Sequence, residues 1–79
     1  MKILIIEDEY SLADAICEIL QKEKFLVEIA TDGQEGEDLA LTNDYDLILL
    51  DIMLPSKNGF AILQTLREEK QDTPVIILT

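Results

Sequence analysis

An α/β fold, a doubly wound parallel sheet in the order β-α-β-α-β-α-β, is predicted by three features of this sequence. Two short runs, Lys2 to Ile6 and Asp46 to Asp51, are almost wholly apolar and stop abruptly at carboxylates. Continuous apolar runs bounded by turn residues suit strands buried on both faces. Between the strand-like segments lie stretches with apolar residues at helical spacing, and strands alternating with helices indicate right-handed crossover units.

The first strand, Lys2 to Ile6, ends at Glu7-Asp8-Glu9. Ser11 is the candidate N-cap of the first helix, with Asp14 three residues on. Leu12, Ala13, Ile16, Cys17 and Leu20 supply its apolar face. Cys17 on that face reads as a small core hydrophobe and not as a reactive thiol. Phe25 to Ala30 is the second strand, and its single charge, Glu28, places it at a sheet edge or rim. Asp32-Gly33-Gln34-Glu35 opens a second helix, with Leu39, Ala40 and Leu41 as a modest apolar face. Gly36 inside that helix costs about 1 kcal/mol relative to alanine, so it is expected to be the least stable of the three.

Asp46 to Asp51 is the third strand, and Pro55-Ser56-Lys57-Asn58-Gly59 is a turn-rich loop. Phe60, Ile62, Leu63 and Leu66 make a third amphipathic helix, ending in the charged run Arg67 to Lys70. Asp72-Thr73-Pro74 breaks it, and Val75 to Leu78 is the fourth strand, followed by Thr79.

With 79 residues the chain suffices for one small domain. A core of this size leaves a thin stability margin. Its net charge of −11, from 17 acidic and 6 basic residues, argues against binding nucleic acid or an anionic membrane. No apolar run approaches membrane-spanning length, and one cysteine forms no internal disulfide, so a cytoplasmic location is expected.

The acids carry the functional signal. Ligands of open α/β sheets bind beyond the carboxyl ends of the strands. If the first and third strands are neighbours, Glu7, Asp8 and Asp51 converge there. Each acid taken alone is explained as a solvated loop residue or a favourable neighbour of a helix dipole. Their collection at the same strand ends is not. Crowded carboxylates are relieved by protons or a cation. Oxygen ligands without histidine or paired cysteine favour a hard ion such as Mg²⁺, which suits phosphoryl transfer to a carboxylate nucleophile.

These pieces resemble the receiver domain of two-component response regulators. The matching residues are Glu7-Asp8 after Ile-Leu-Ile-Ile, Leu-Leu-Asp51-Ile-Met-Leu-Pro55, the spacing to Lys57-Asn58-Gly59, and Pro74-Val-Ile-Ile-Leu-Thr79. The resemblance implies a flavodoxin-like sheet with strand order 2-1-3-4, in which Asp51 accepts a phosphoryl group from a sensor histidine kinase. It further implies Mg²⁺ held by Asp8, Asp51 and the Met53 backbone carbonyl, with Glu7 reaching the metal through water. Thr79 matches the switch hydroxyl. The family pattern continues through a further helix, a strand with a phosphoryl-pairing lysine, and another helix. Residues 1–79 are accordingly expected to be the N-terminal part of a receiver, ending after the fourth strand. None of Lys2, Lys22, Lys24, Lys57, Lys70 or Arg67 stands at the position of that lysine.

Three rivals stand beside this reading. A haloacid-dehalogenase-type phosphotransferase wants a second carboxylate two residues after Asp51, where Met53 stands. A flavodoxin-like cofactor binder wants a phosphate loop after the first strand, where Glu7-Asp8-Glu9-Tyr10 would repel phosphate. A self-associating module without phosphoryl chemistry would pair through the apolar edge Val75 to Leu78, making a homo-oligomer through the fourth strand.

Overall fold

The computed structural model describes residues 1–55 and 57–78. Its elements are β1 (Lys2–Ile6), α1 (Tyr10–Lys22), β2 (Leu26–Ala30), α2 (Gly33–Thr42), β3 (Leu47–Asp51), α3 (Gly59–Glu68) and β4 (Val75–Leu78). The four strands are parallel in the order β2-β1-β3-β4, as the resemblance implies.

Strand β1 is central, and Ile3, Leu4, Ile5 and Ile6 are all fully buried. Successive strand residues point to opposite faces. Leu4, Ile6, Ile48 and Leu50 therefore meet Ala40 of α2 and Ile62 and Leu66 of α3. Ile3, Ile5 and Leu49 face the other way, onto Ala13 and Cys17 of α1. The parallel register sets Ile6 beside both Ala30 and Leu50, so the chain leaves β1 and β3 at the same sheet edge. No helix among the described residues is long and apolar enough to cross a membrane.

Helix α1 starts earlier than the capping signal suggests. Its N-cap is Glu9, with no side-chain cap, and the Glu9 carbonyl accepts from the N–H groups of Leu12 and Ala13 at 3.1 Å. Ser11 lies inside the first turn, because Glu9, at φ −83° and ψ 101°, already has the extended geometry that a cap needs. Leu12, expected on the apolar face, is exposed. Asp32 caps α2 as expected, its carboxylate accepting from Glu35 N–H at 3.0 Å.

The buried face of α2 differs from the expected one. Gly33, Gly36, Glu37 and Ala40 form it, with Leu39 and Leu41 packed at its margin. A Cβ on Gly36 would come within 2.7 Å of the Ile6 side chain. The glycine that weakens the helix locally is what lets α2 lie against the end of β1, immediately before Glu7.

Candidate functional site

Strands β1 and β3 deliver three carboxylates to one point. One oxygen from each of Glu7, Asp8 and Asp51 falls within a cluster whose members lie within 4.8 Å of one another. Glu7 is 5% exposed, Asp51 is half-buried and Asp8 is exposed, so the cluster grades from the sheet interior to water. Each position follows from its strand end. Glu7 N–H donates to the Ala30 carbonyl at 3.0 Å, extending the β1–β2 ladder by one residue. Glu7 Oε2 accepts from Glu9 N–H at 3.2 Å, which turns the chain toward α1.

Electrostatics make the cluster unusual. Burial, opposed by the Glu9 N–H and reinforced by contacts with the Asp51 and Asp8 carboxyls, pushes the Glu7 carboxyl from 4.5 up to about 7. A buried acid beside two others resists becoming a third negative charge. No basic side chain is ion-paired to the cluster among the described residues. The two ion pairs found there are Lys2–Glu28 and Lys57–Glu37, both elsewhere.

The loop after β3 forms the other wall. A cleft of about 420 Å³ is lined by Asp8, Ile52, Met53, Leu54, Pro55 and Asn58. Met53 N–H donates to Asp51 Oδ1 at 3.2 Å, so the loop backbone restrains the carboxylate. The Met53 side chain is 84% exposed. Gly59 N–H donates to the Ile52 carbonyl at 2.8 Å, closing the loop on itself. Asn58 caps α3 by accepting from Phe60 N–H at 2.7 Å. A Cβ on Gly59 would collide with the Asp51 carbonyl oxygen, which accounts for glycine where α3 begins.

The structure thus brings Glu7, Asp8 and Asp51 together and sets Met53 beside Asp51. Thr79, the expected switch hydroxyl, lies outside the described residues. The sequence reading missed Lys57 and Glu37 as a pair: their ion pair, at 2.6 Å, ties the loop to α2. Helical periodicity carried a signal for it, since residues 33, 36, 37 and 40 share one face. The cysteine reading is consistent with the structure, where burial and nearby acids raise the Cys17 thiol pKa.

Three oxygen donors with no nitrogen or sulfur suit a hard divalent cation, which would supply the charge that the buried Glu7 lacks. Comparisons with known proteins give the family. The family model for the response regulator receiver domain matches residues 3–79. The transcriptional regulatory protein DltR of Streptococcus agalactiae is 46% identical over the whole chain, which spans 35% of that relative's length. The receiver domain of the Francisella response regulator 1452 superimposes with a TM-score of 0.92 at 36% identity. That match covers 96% of this chain and 63% of the Francisella one. The receiver domain of the Pseudomonas aeruginosa sensor kinase PA1611, solved with a magnesium ion coordinated in its active-site cleft, matches with a TM-score of 0.91 at 30% identity. There the match covers 99% of this chain and 66% of the other.

Proposed function

This chain belongs to the receiver domain family of two-component response regulators, and from that premise we propose that Asp51 is its phosphoacceptor. The observation that carries the proposal is the convergence of Glu7, Asp8 and Asp51 within 4.8 Å at the carboxyl ends of β1 and β3. A sensor histidine kinase supplies the phosphoryl group. An Asp51 carboxylate oxygen bonds to phosphorus as the phosphorus–nitrogen bond to the kinase imidazole breaks, giving an aspartyl phosphate. Asp8, Asp51 and the Met53 carbonyl would hold Mg²⁺, with Glu7 contributing from the buried side of the cluster. When bound, the ion offsets negative charge on the phosphoryl oxygens. The protein's own part is orientation: Met53 N–H holds one Asp51 oxygen, and the end of β1 sets Glu7 and Asp8 beside it.

Thr79 is proposed as the hydroxyl that responds to the phosphoryl group. The matched relative is a transcriptional regulator of greater length, which supports control of transcription as the output of the longer protein. A role as an assembly module alone is not favoured, since it gives the converging acids nothing to do.

The test is acetyl phosphate labelling with Mg²⁺, read by intact mass and peptide mapping. The parent acquires one phosphoryl adduct at Asp51, and Asp51→Asn acquires none. Equal labelling of Asp51→Asn and parent would overturn the assignment.

A further inference from the structure

The loop that carries Met53 is fastened to α2 from behind, and we infer that Lys57, acting through Glu37, is a positioning residue for Asp51. The inference rests on the phosphoacceptor reading above and goes beyond it by naming what holds the acceptor in place. The Lys57 ammonium lies 2.6 Å from Glu37 Oε2. Glu37 is 6% exposed, and the Lys57 ammonium is the one partner found for its buried Oε2 among the described residues. A desolvated carboxylate with one cationic partner holds that partner firmly, since separation leaves a buried charge uncompensated.

The backbone around the pair is equally close. A Cβ on Gly33, at the start of α2, would stand 3.1 Å from the Lys57 carbonyl oxygen and 3.3 Å from the Leu54 side chain. Leu54 itself packs against the core beneath α2 and α3. The rear of the loop is therefore seated by Leu54 and locked by Lys57. Its front carries the Met53 N–H that restrains Asp51 Oδ1 at 3.2 Å. Release of Lys57 lets the loop move away from α2 and loosens the Met53–Asp51 contact. The ammonium is engaged by Glu37, so Lys57 acts through position and not by touching the phosphoryl group.

Charge bookkeeping and positioning predict opposite signs for Lys57→Met. Removing a cation makes the chain more negative and by that argument strengthens Mg²⁺ binding. Loss of positioning weakens it, by roughly tenfold, the lower end of the scale for losing a group that orients a metal ligand. Calorimetric Mg²⁺ titration of folded parent, Lys57→Met and the swapped pair Glu37→Lys with Lys57→Glu decides between them. The expected result is weaker binding in Lys57→Met and recovery to within about twofold of the parent in the swap. Should Lys57→Met fail to fold, the pair Glu37→Leu with Lys57→Met leaves no lone buried charge. Net charge is then unchanged, and the same weakening is expected. Unchanged or tighter binding in the folded variant would overturn the positioning role alone. A parent that binds no Mg²⁺ would overturn the metal reading, and this inference with it.

Discussion

The two ends of the sheet treat charge in opposite ways. At the amino end, Tyr45 donates its hydroxyl to Glu28 Oε1 at 2.5 Å, and Lys2 lies 3.4 Å from the same carboxylate and 5.0 Å over the Tyr45 ring. Asp46 accepts from Lys2 N–H at 2.7 Å and returns a backbone bond to the Lys2 carbonyl at 2.8 Å. Each polar group there answers another. At the carboxyl end, Glu7, Asp8 and Asp51 crowd together with no ion-paired base among the described residues. The same sheet balances opposite charges at one end and crowds like charges at the other. Natural sequences break such local rules mainly where function requires it.

The contrast appears in acid strength. Hydrogen bonding from Tyr45 lowers the Glu28 pKa, and burial raises that of Glu7 to about 7. The two ends should therefore respond to pH with opposite signs, and the larger effect belongs to Glu7. Its carboxyl binds a proton more tightly folded than unfolded, so its contribution is complete below 4.5 and is lost as pH rises through about 7. A rise from 4.5 to about 7 corresponds to about 3 kcal/mol. The chain has no histidine, so Glu7 dominates titration between about pH 5 and 7.5. Urea unfolding without metal is expected to show higher stability at pH 5.5 than at 7.5. Millimolar Mg²⁺ should flatten that slope, and Glu7→Gln should abolish it. Equal stability of the metal-free parent at both values would remove the contrast between the two ends.

This contrast was half legible in the sequence. The acidic end could be read because each member closes an apolar strand, so the strand order alone brings Glu7, Asp8 and Asp51 together. The amino-end network could not. Lys2, Glu28 and Tyr45 come from β1, β2 and the approach to β3, and their meeting depends on register and side-chain reach. Glu28 marked β2 as an edge without revealing its partner. Glu37 escaped notice because a glutamate in a helix reads as solvent-facing until its glycine neighbours are placed on the buried face. Ser11 misled in the other direction: a good capping residue stood two residues too late, since β1 and its acidic turn had already fixed where the helix begins.

The next effect in size tests the balanced end. Tyr45 is buried, and its phenol pKa is raised by that burial and by the Glu28 carboxylate beside it. Tyr45→Phe removes the hydroxyl but keeps the ring. Glu28 is partly exposed and can rehydrate, so the expected loss at neutral pH is about 1.5 kcal/mol, at the lower end for a hydrogen bond to a charged group. Because the bond lowers the Glu28 pKa, its stabilisation is present above the ordinary carboxylate pKa and fades as pH falls below about 4.5. Parent and variant melting curves should converge in acid. A gap that persisted there would mean that packing, not the charged hydrogen bond, sets the loss.

The smallest effect asks whether Lys2 matters to that end as a charge. Its ammonium is 3.4 Å from Glu28, with side chains 34% and 44% exposed, so water screens the pair. The contact with the Tyr45 ring is long, at 5.0 Å. Surface pairs of this kind contribute about 0.5 kcal/mol, and the loss should shrink as salt is added. The backbone bonds that Lys2 exchanges with Asp46 survive any side-chain change, so β1 keeps its register with β3. Lys2→Met, which retains most of the aliphatic stem over the ring, is therefore expected to cost about 0.5 kcal/mol in low salt and close to nothing in molar salt. Chemical denaturation at the two salt concentrations reads this directly. A loss as large as that of Tyr45→Phe, or one unmoved by salt, would show that the amino end is held by the cation and not by the phenol.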